Sequence, residues 1–344
     1  VTRAAVSALV GEEVVEAAPV RQGTWTRPNV WRVVGASGRQ FAVKEAHHRA
    51  PQTRGGKTAT QTEWAVLSLL AEIGCAAPHP VAHDEHEGLL ATAWIGGETL
   101  DDMCQTRPAA VLPHVPAAIA GLAAIERAFA AHIADVEPFA FQQDYDAYLG
   151  DDFALHLADA QTGYRTLRDR GGPTRALADD ERRAWAAVAR VIYDATPTMG
   201  TLDYNARNVL FAGPAPVFVD FSTVGWDWPE RRVAQYFVSL GANRPNGNFV
   251  QAVGAEALRA ARDCLFFDPI ALEAHLFVFL CVAAGRLARG GTSDRPGATM
   301  EEQQGWANRR ARFDRLLGLL AGGAVADFDP TALLRGRVRQ AAHE

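Results

Sequence analysis

Two acids and an amide stand close together in one stretch of this chain, Asp203-Tyr-Asn-Ala-Arg-Asn208 followed by Val217-Phe-Val-Asp220-Phe221. A carboxylate such as Asp203 can take the proton from an attacking hydroxyl. The Asn208 amide and the Asp220 carboxylate are oxygen donors, the kind Mg²⁺ prefers. Far upstream, Lys44 ends the apolar run Phe41-Ala-Val-Lys44, from which a compact ammonium can reach phosphate oxygens. Glu63 follows on the next helical pattern, within reach of pairing with Lys44. This is the inventory that phosphoryl transfer from a nucleotide requires, since that chemistry is mostly positioning and charge neutralisation.

Each of these residues also has a plainer reading. Lys44 is then a strand-end lysine in water. Glu63 closes a capping box, Thr60-x-x-Glu63, ahead of an apolar run. Asp203 and Asn208 are then turn residues, and Asp220 ends a strand. The plain readings hold one at a time; the order and spacing of all five residues favour the chemical one.

The elements that must position them show as a change of periodicity. Residues 1–97 read as a strand-rich lobe with a single helix. Trp31–Val34 and Gln40–Lys44 are strand runs around the turn signal Gly35-Ala-Ser-Gly38. A helix runs from Thr60 to Leu70, ends at Gly74 and is kept from resuming by Pro78 and Pro80. Two strands follow, the second over Gly88–Trp94, and Gly96-Gly97 is the linker. Residues 98–344 read as a helical lobe, with helices over 117–131, 179–194, 255–264, 270–289 and 301–320. Strands in that lobe are expected only at 209–211 and 217–219, so the class is α+β and bilobal.

Composition narrows the setting. The chain has 344 residues, 48% hydrophobic and 22% charged, with mean hydropathy −0.08, net charge −6 and pI about 6.0. That balance argues against a nucleic-acid partner. Cys75, Cys104, Cys264 and Cys281 form no paired spacing, which points to a reducing cytoplasm. Glu12, Glu13 and Glu16 do not fit a signal peptide. The apolar run Leu276–Ala284 is shorter than the roughly 20 residues a membrane span needs, so a buried helix and no membrane partner are expected.

The combined layout resembles the aminoglycoside phosphotransferase and choline kinase-like family, relatives of the protein kinases. That family shows a strand lysine, a helix glutamate, a hinge, an H-G-D-x-x-x-x-N loop and a following I-D-[FW] strand end. Here the hinge is Leu89-Leu-Ala-Thr-Ala-Trp-Ile-Gly-Gly-Glu-Thr-Leu100, the loop Gly200-Thr-Leu-Asp-Tyr-Asn-Ala-Arg-Asn-Val-Leu210, and the strand end Val217-Phe-Val-Asp-Phe221. The resemblance spans residues from about 20 to about 240. It implies a kinase-like fold with a nucleotide-binding first lobe and an acceptor-binding second lobe. It also implies Mg²⁺ as cofactor and ATP or GTP as co-substrate, in a monomer or homodimer. Asp203 would be the base, Asn208 and Asp220 would hold the metal, Lys44 would contact the phosphates, and the backbone at Ala93 and Ile95 would meet the adenine edge.

Three departures stand out. Thr201 and Leu202 replace the histidine and glycine of the loop. The hairpin Gly23-Thr-Trp-Thr-Arg-Pro-Asn29 carries one glycine where a phosphate cover usually has more. The family's downstream D-L-A acid is absent near Arg231-Arg-Val-Ala234.

The acceptor side offers Asp144, Asp146, Asp151 and Asp152 within Gln142–Asp152, the region the family uses for its acceptor. These acids are either a solvated face or the contacts of an amine-bearing substrate. The resemblance implies as acceptor an antibiotic or a related metabolite, with an aminoglycoside first, a nucleoside or peptide antibiotic next, and choline, homoserine or a sugar still open. The rival is a catalytically silent nucleotide- or partner-binding regulator, which Thr201, Leu202 and the glycine-poor hairpin would suit. A hydrolase using Asp203 and Asp220 as its pair leaves Lys44 and Glu63 unexplained.

Overall fold

The computed structural model describes residues 2–20, 29–46, 50–141, 148–169, 174–204, 206–213, 215–242, 250–289, 318, 320 and 325–343. The chain forms two compact units. One comprises residues 1–102, 120–143 and 198–227; the other comprises 103–119, 144–197 and 228–344.

In the first unit, β1 (Val14–Pro19), β2 (Val30–Gly35), β3 (Gln40–Glu45), β4 (Pro80–Asp84) and β5 (Leu89–Ala93) make an antiparallel sheet in the order β1-β2-β3-β5-β4. The expected hairpin is present as β2 and β3, with Val34 opposite Gln40 and Val30 opposite Lys44. Helix α1 (Arg3–Val10) begins at Thr2, whose hydroxyl accepts the Ala5 N–H, and stops at Gly11. Its Val6 and Val10 join Val14, Val33, Phe41, Val43 and Ala91 in one apolar cluster. This corrects the expectation of a single helix before residue 98. Eight residues carrying two core-facing valines give too weak a period to read; a cap and a sheet to pack on complete the helix.

Strand alternation decides what the other face presents. Phe41 and Val43 point to the α1 cluster, so Ala42 and Lys44 point to the opposite side. Helix α2 (Ala59–Ile73) begins at Thr58, not Thr60. The Thr58 hydroxyl accepts the Gln61 N–H and the Gln61 side chain accepts the Thr58 N–H. The capping box therefore sits two residues earlier than the sequence pattern suggested, and the Glu63 carboxylate has no capping role. Gly74 ends α2 in the left-handed region, as expected.

The same unit holds two smaller sheets. β6 (Glu98–Thr99), β8 (Val209–Phe211) and β9 (Pro216–Phe218) pair in the order β6-β8-β9, and β7 (Thr198–Thr201) pairs antiparallel with β10 (Val224–Asp227). β8 and β9 were expected; β6, β7 and β10 are short and carry no period of their own. Gly97 is required at the start of β6. Its φ is +78°, and a Cβ there would lie 2.2 Å from the Phe211 carbonyl oxygen. Helix α3 (Val115–Ala131) lays Gly121 against Phe218, and its Phe129 ring lies 6.4 Å from that of Phe221.

Helices dominate the second unit: α4 (Phe153–Arg168), α5 (Asp179–Asp194), α6 (Pro229–Ala242), α7 (Val250–Asp263), α8 (Pro269–Arg289) and α9 (Asp329–His343). α8 is buried along Leu272–Leu280, as its composition implied. It crosses α4 backbone to backbone: a Cβ on Gly163 would lie 1.9 Å from the Cys281 carbonyl oxygen. Arg335 ties α9 to Glu273 at 2.9 Å. Of the helix expected over 301–320, only Gly318 and Leu320 lie among the described residues, and both are helical. Among the described residues one run, 109–131, is long and apolar enough to cross a membrane by length and composition. Its Leu122, Ala123, Ile125 and Phe129 are buried, which is how a core helix behaves.

Candidate active site

The site grows from the ends of short elements of the first unit. Lys44, near the end of β3, projects to the α2 side of the sheet. Its Nζ lies 2.7 Å from Glu63 Oε2 and 2.5 Å from Asp220 Oδ1. Asp220, just past β9, has φ +68°, and it is the one non-glycine residue with positive φ among the described residues. Holding a side chain there costs about 1 kcal/mol or more. The turn aims its carboxylate at Lys44. Ser222 donates to the same Oδ1 at 2.7 Å, and the Val219 N–H is donated to the Asn208 carbonyl. Buried Phe221, beside Phe129, anchors the turn.

Asp203 follows β7. Asn208 is buried, and its Nδ2 donates to the Asp203 carbonyl oxygen at 3.0 Å, so the loop closes on itself. Arg207 reaches the buried Asp101 at 3.2 Å, fixing the single turn Ala206–Asn208 beside the chain that follows β6. Tyr204 donates its hydroxyl to the fully buried Asp227.

The charges shift one another. Burial raises the Glu63 pKa, with Lys44 offsetting part of the effect. Burial disfavours the Lys44 ammonium, yet Asp220 and Glu63 outweigh it and keep Lys44 charged far above neutral pH. Burial likewise disfavours the Asp220 carboxylate, but Lys44 and Ser222 hold its pKa below the ordinary value. Asp203 goes the other way. The residue is open to solvent, yet burial of its carboxyl and then the charge of Asp220 push its pKa up. An acid-rich set with one ionised and one proton-seeking carboxylate can both hold a cation and move a proton.

Five of the predicted residues are thus brought into one neighbourhood: Lys44, Glu63, Asp203, Asn208 and Asp220. Ala93 ends β5, and its N–H is donated to the His79 carbonyl oxygen. Ile95 follows, half-buried. Asp144 and Asp146 lie outside the described residues, as do the hairpin at 21–28 and the side chain of Asp151; Asp152 is exposed ahead of α4. Ser222, Tyr204, Arg207, Asp101 and Asp227 were not singled out from sequence. Ser222 had a signal, a hydroxyl two residues after an acid; the others had none, because their partners are up to 106 residues away. Among the described residues no three His, Cys, Asp or Glu side chains form a metal-holding group. The oxygen donors that would hold a cation here are Asp220 and the Asn208 amide, with phosphate and water supplying the remaining ligands.

The family profile described as the phosphotransferase enzyme family matches residues 17–266, most of the chain and all of this site. The chain belongs to that family. It is therefore a small-molecule phosphotransferase acting on an alcohol group. The phosphotransferase is similar in structure to an aminoglycoside phosphotransferase from Alicyclobacillus acidocaldarius subsp. acidocaldarius at TM-score 0.52 and 15% identity, covering 98% of this chain and 96% of that one. It is also similar to the amicoumacin kinase hAmiN, solved with AMP-PNP, Ca²⁺ and Ami, at TM-score 0.54 and 11% identity, covering 96% and 95%. At these identities the likeness shows the fold, α+β and kinase-like. No curated protein matches the chain in sequence.

Proposed function

We propose that the phosphotransferase moves the γ-phosphoryl group of ATP or GTP to a hydroxyl of an antibiotic or related metabolite, an aminoglycoside first and a nucleoside or peptide antibiotic next. The observation that carries this is the convergence on Lys44 of Glu63 from a helix and Asp220 from a turn 176 residues downstream. Glu63 holds the ammonium where it can meet phosphates. Asp203 takes the proton as the acceptor oxygen bonds to phosphorus and the bridging oxygen leaves with the nucleoside diphosphate. Its raised pKa suits a base working nearer neutral pH. Asp220 and Asn208 would hold Mg²⁺, which would neutralise phosphate charge when bound. The Ala93 N–H is already spent, so the adenine edge would use the Ala93 carbonyl and the Ile95 backbone.

Further support comes from the loop that departs from the family pattern. The Thr201 hydroxyl accepts the Asp203 N–H, and Leu202 lies on the bare backbone of Gly225. A held loop favours catalysis over a silent nucleotide binder. The division into lobes at 97/98, the cytoplasmic setting and a monomer or homodimer belong to the same reading.

The test is a phosphate-transfer screen with ATP and GTP across aminoglycosides, nucleoside and peptide antibiotics, choline, homoserine and sugars. It is read by the mass gain of the acceptor, with and without EDTA. A mass gain of one phosphoryl group that EDTA abolishes is expected. Tight nucleotide binding with no acceptor ever modified would turn the reading into the silent regulator.

A further inference from the structure

The base proposed above sits on a loop that lacks the histidine used by similar loops, yet the loop is fastened on both sides. Before Asp203, buried Thr201 spans two backbone groups: its Oγ1 donates to the Thr223 carbonyl oxygen at 3.4 Å and accepts the Asp203 N–H at 3.3 Å. The Leu202 N–H is donated to the same Thr223 carbonyl at 3.0 Å. Leu202 packs over Gly225, where a Cβ would lie 2.8 Å from its Cδ1. After Asp203, the Tyr204 hydroxyl is donated to Asp227 Oδ2, and Asp227 is fully buried. Thr223 immediately precedes β10 and Asp227 ends it, and β10 is the strand that pairs with β7. The two fastenings therefore land at the two ends of β10, Thr223 just before it and Asp227 at its end, and Asp203 is held between them.

We propose that Thr201 and Tyr204 together are the positioning residues of Asp203, one hydroxyl holding the backbone before it and the other the residue after it. Neither side chain takes the proton; each fixes the backbone from which the Asp203 carboxylate projects. The Thr201 hydroxyl bridges an N–H and a carbonyl and so ties the backbone on the N-terminal side of Asp203 to the chain entering β10. Losing one such tie lets the carboxylate drift, and a displacement of about 1 Å at a reacting group costs up to about 10²-fold in rate. This inference rests on the reading of Asp203 as base, so its test must separate the two.

The full chain is assayed for hydrolysis of ATP and GTP with water as acceptor, alongside hydrogen–deuterium exchange of the segment 199–211. The variants are Thr201→Val, Thr201→Ser, Tyr204→Phe, the double variant and Asp203→Asn. Thr201→Val and Tyr204→Phe should each lower kcat about tenfold, leave the nucleotide KM unchanged and speed exchange at Leu202 and Asp203. Thr201→Ser, which keeps the hydroxyl, should restore both kcat and protection. Tyr204→Phe removes one oxygen from a half-buried ring and tests the clamp even where Thr201→Val folds poorly. If Asp203→Asn loses turnover while Thr201→Val and Tyr204→Phe keep parental kcat and exchange, the clamp is overturned and the base assignment stands. If Asp203→Asn keeps parental turnover, the base assignment falls and the positioning role falls with it. Where hydrolysis by the parent is too slow to follow, unchanged exchange in both single variants overturns the clamp by itself.

Discussion

Around Arg168, two arginines face two acids; around Lys44, one ammonium faces three. In the second unit Arg168 lies 2.6 Å from Glu181 and 2.9 Å from Asp169, and Arg175 closes on Asp169 at 3.0 Å. Glu181 also accepts from the Tyr164 hydroxyl at 2.7 Å and from the Ala178 N–H at the start of α5. Every charge there is matched, and Glu181 fastens a helix start to the end of α4. In the first unit Lys44 answers Glu63 and Asp220, while Asp203 adds a third carboxylate that Asp220 repels. The balanced set is complete as it stands. The unbalanced one retains negative charge beside a solvent-open acid, the condition under which a cation and a proton transfer are both useful. Buried ion pairs are thus no sign of function by themselves; the residual charge separates the two cases.

The comparison breaks most sharply at Asp203. Asp203→Asn should lower turnover by roughly 10²–10⁴ while leaving thermal stability and nucleotide binding in place. Turnover within a few-fold of the parent removes Asp203 from the mechanism.

In the balanced cluster the expected loss is of stability alone. Glu181→Leu leaves Arg168 short of a partner and uncaps α5, at a cost of several kcal/mol, since breaking a buried pair costs about 3–5 kcal/mol. Denaturant midpoints measure it, and nucleotide affinity below the transition should not change. A loss under about 1 kcal/mol would show that Asp169 alone satisfies the guanidinium.

Acid should separate the clusters by sign. Asp203 must be ionised to act, and its pKa lies above the ordinary 3.8, so kcat should fall on the acid side at a pH above that value. Asp169 lies at about 2: burial opposes ionisation, but Arg168 and Arg175 outweigh it. A carboxylate with a depressed folded pKa gives its full stabilisation above its unfolded pKa of about 3.9 and loses it as pH falls through the folded one. The stability difference between the parent and Asp169→Asn should therefore be constant above about pH 4 and shrink towards pH 2. An acid limb of kcat at or below 3.8 would contradict the Asp203 environment.

The smallest expected effect lies at exposed Asp152. If the acceptor is cationic, Asp152→Asn should raise its KM a few-fold, less at high salt, and leave the nucleotide KM alone. An unchanged acceptor KM at low salt would make Asp152 a solvated helix-end residue.

Much of this was legible in the residues themselves. The β2–β3 hairpin, the body of α2, the run of α5 and the buried nature of α8 all follow from periodicity and stop signals, which are local properties of the chain. So does the chemical inventory of Lys44, Glu63, Asp203, Asn208 and Asp220. What the sequence left open was which of two jobs each residue does. Thr60-x-x-Glu63 is as good a capping pattern on paper as Thr58-x-x-Gln61; the start of α2 at Ala59 gave the cap to Thr58 and the Glu63 carboxylate to Lys44. Helix α1 and strands β6, β7 and β10 were invisible because each is too short to carry a period and exists by pairing or packing on something distant. The pairing of Thr201 with Thr223 and of Arg207 with Asp101, and the surplus of acid around Lys44, were decided by the tertiary structure alone. Side-chain type and local period are written in neighbouring residues, whereas a charge balance depends on which residues, up to 176 positions apart, are brought within 3 Å.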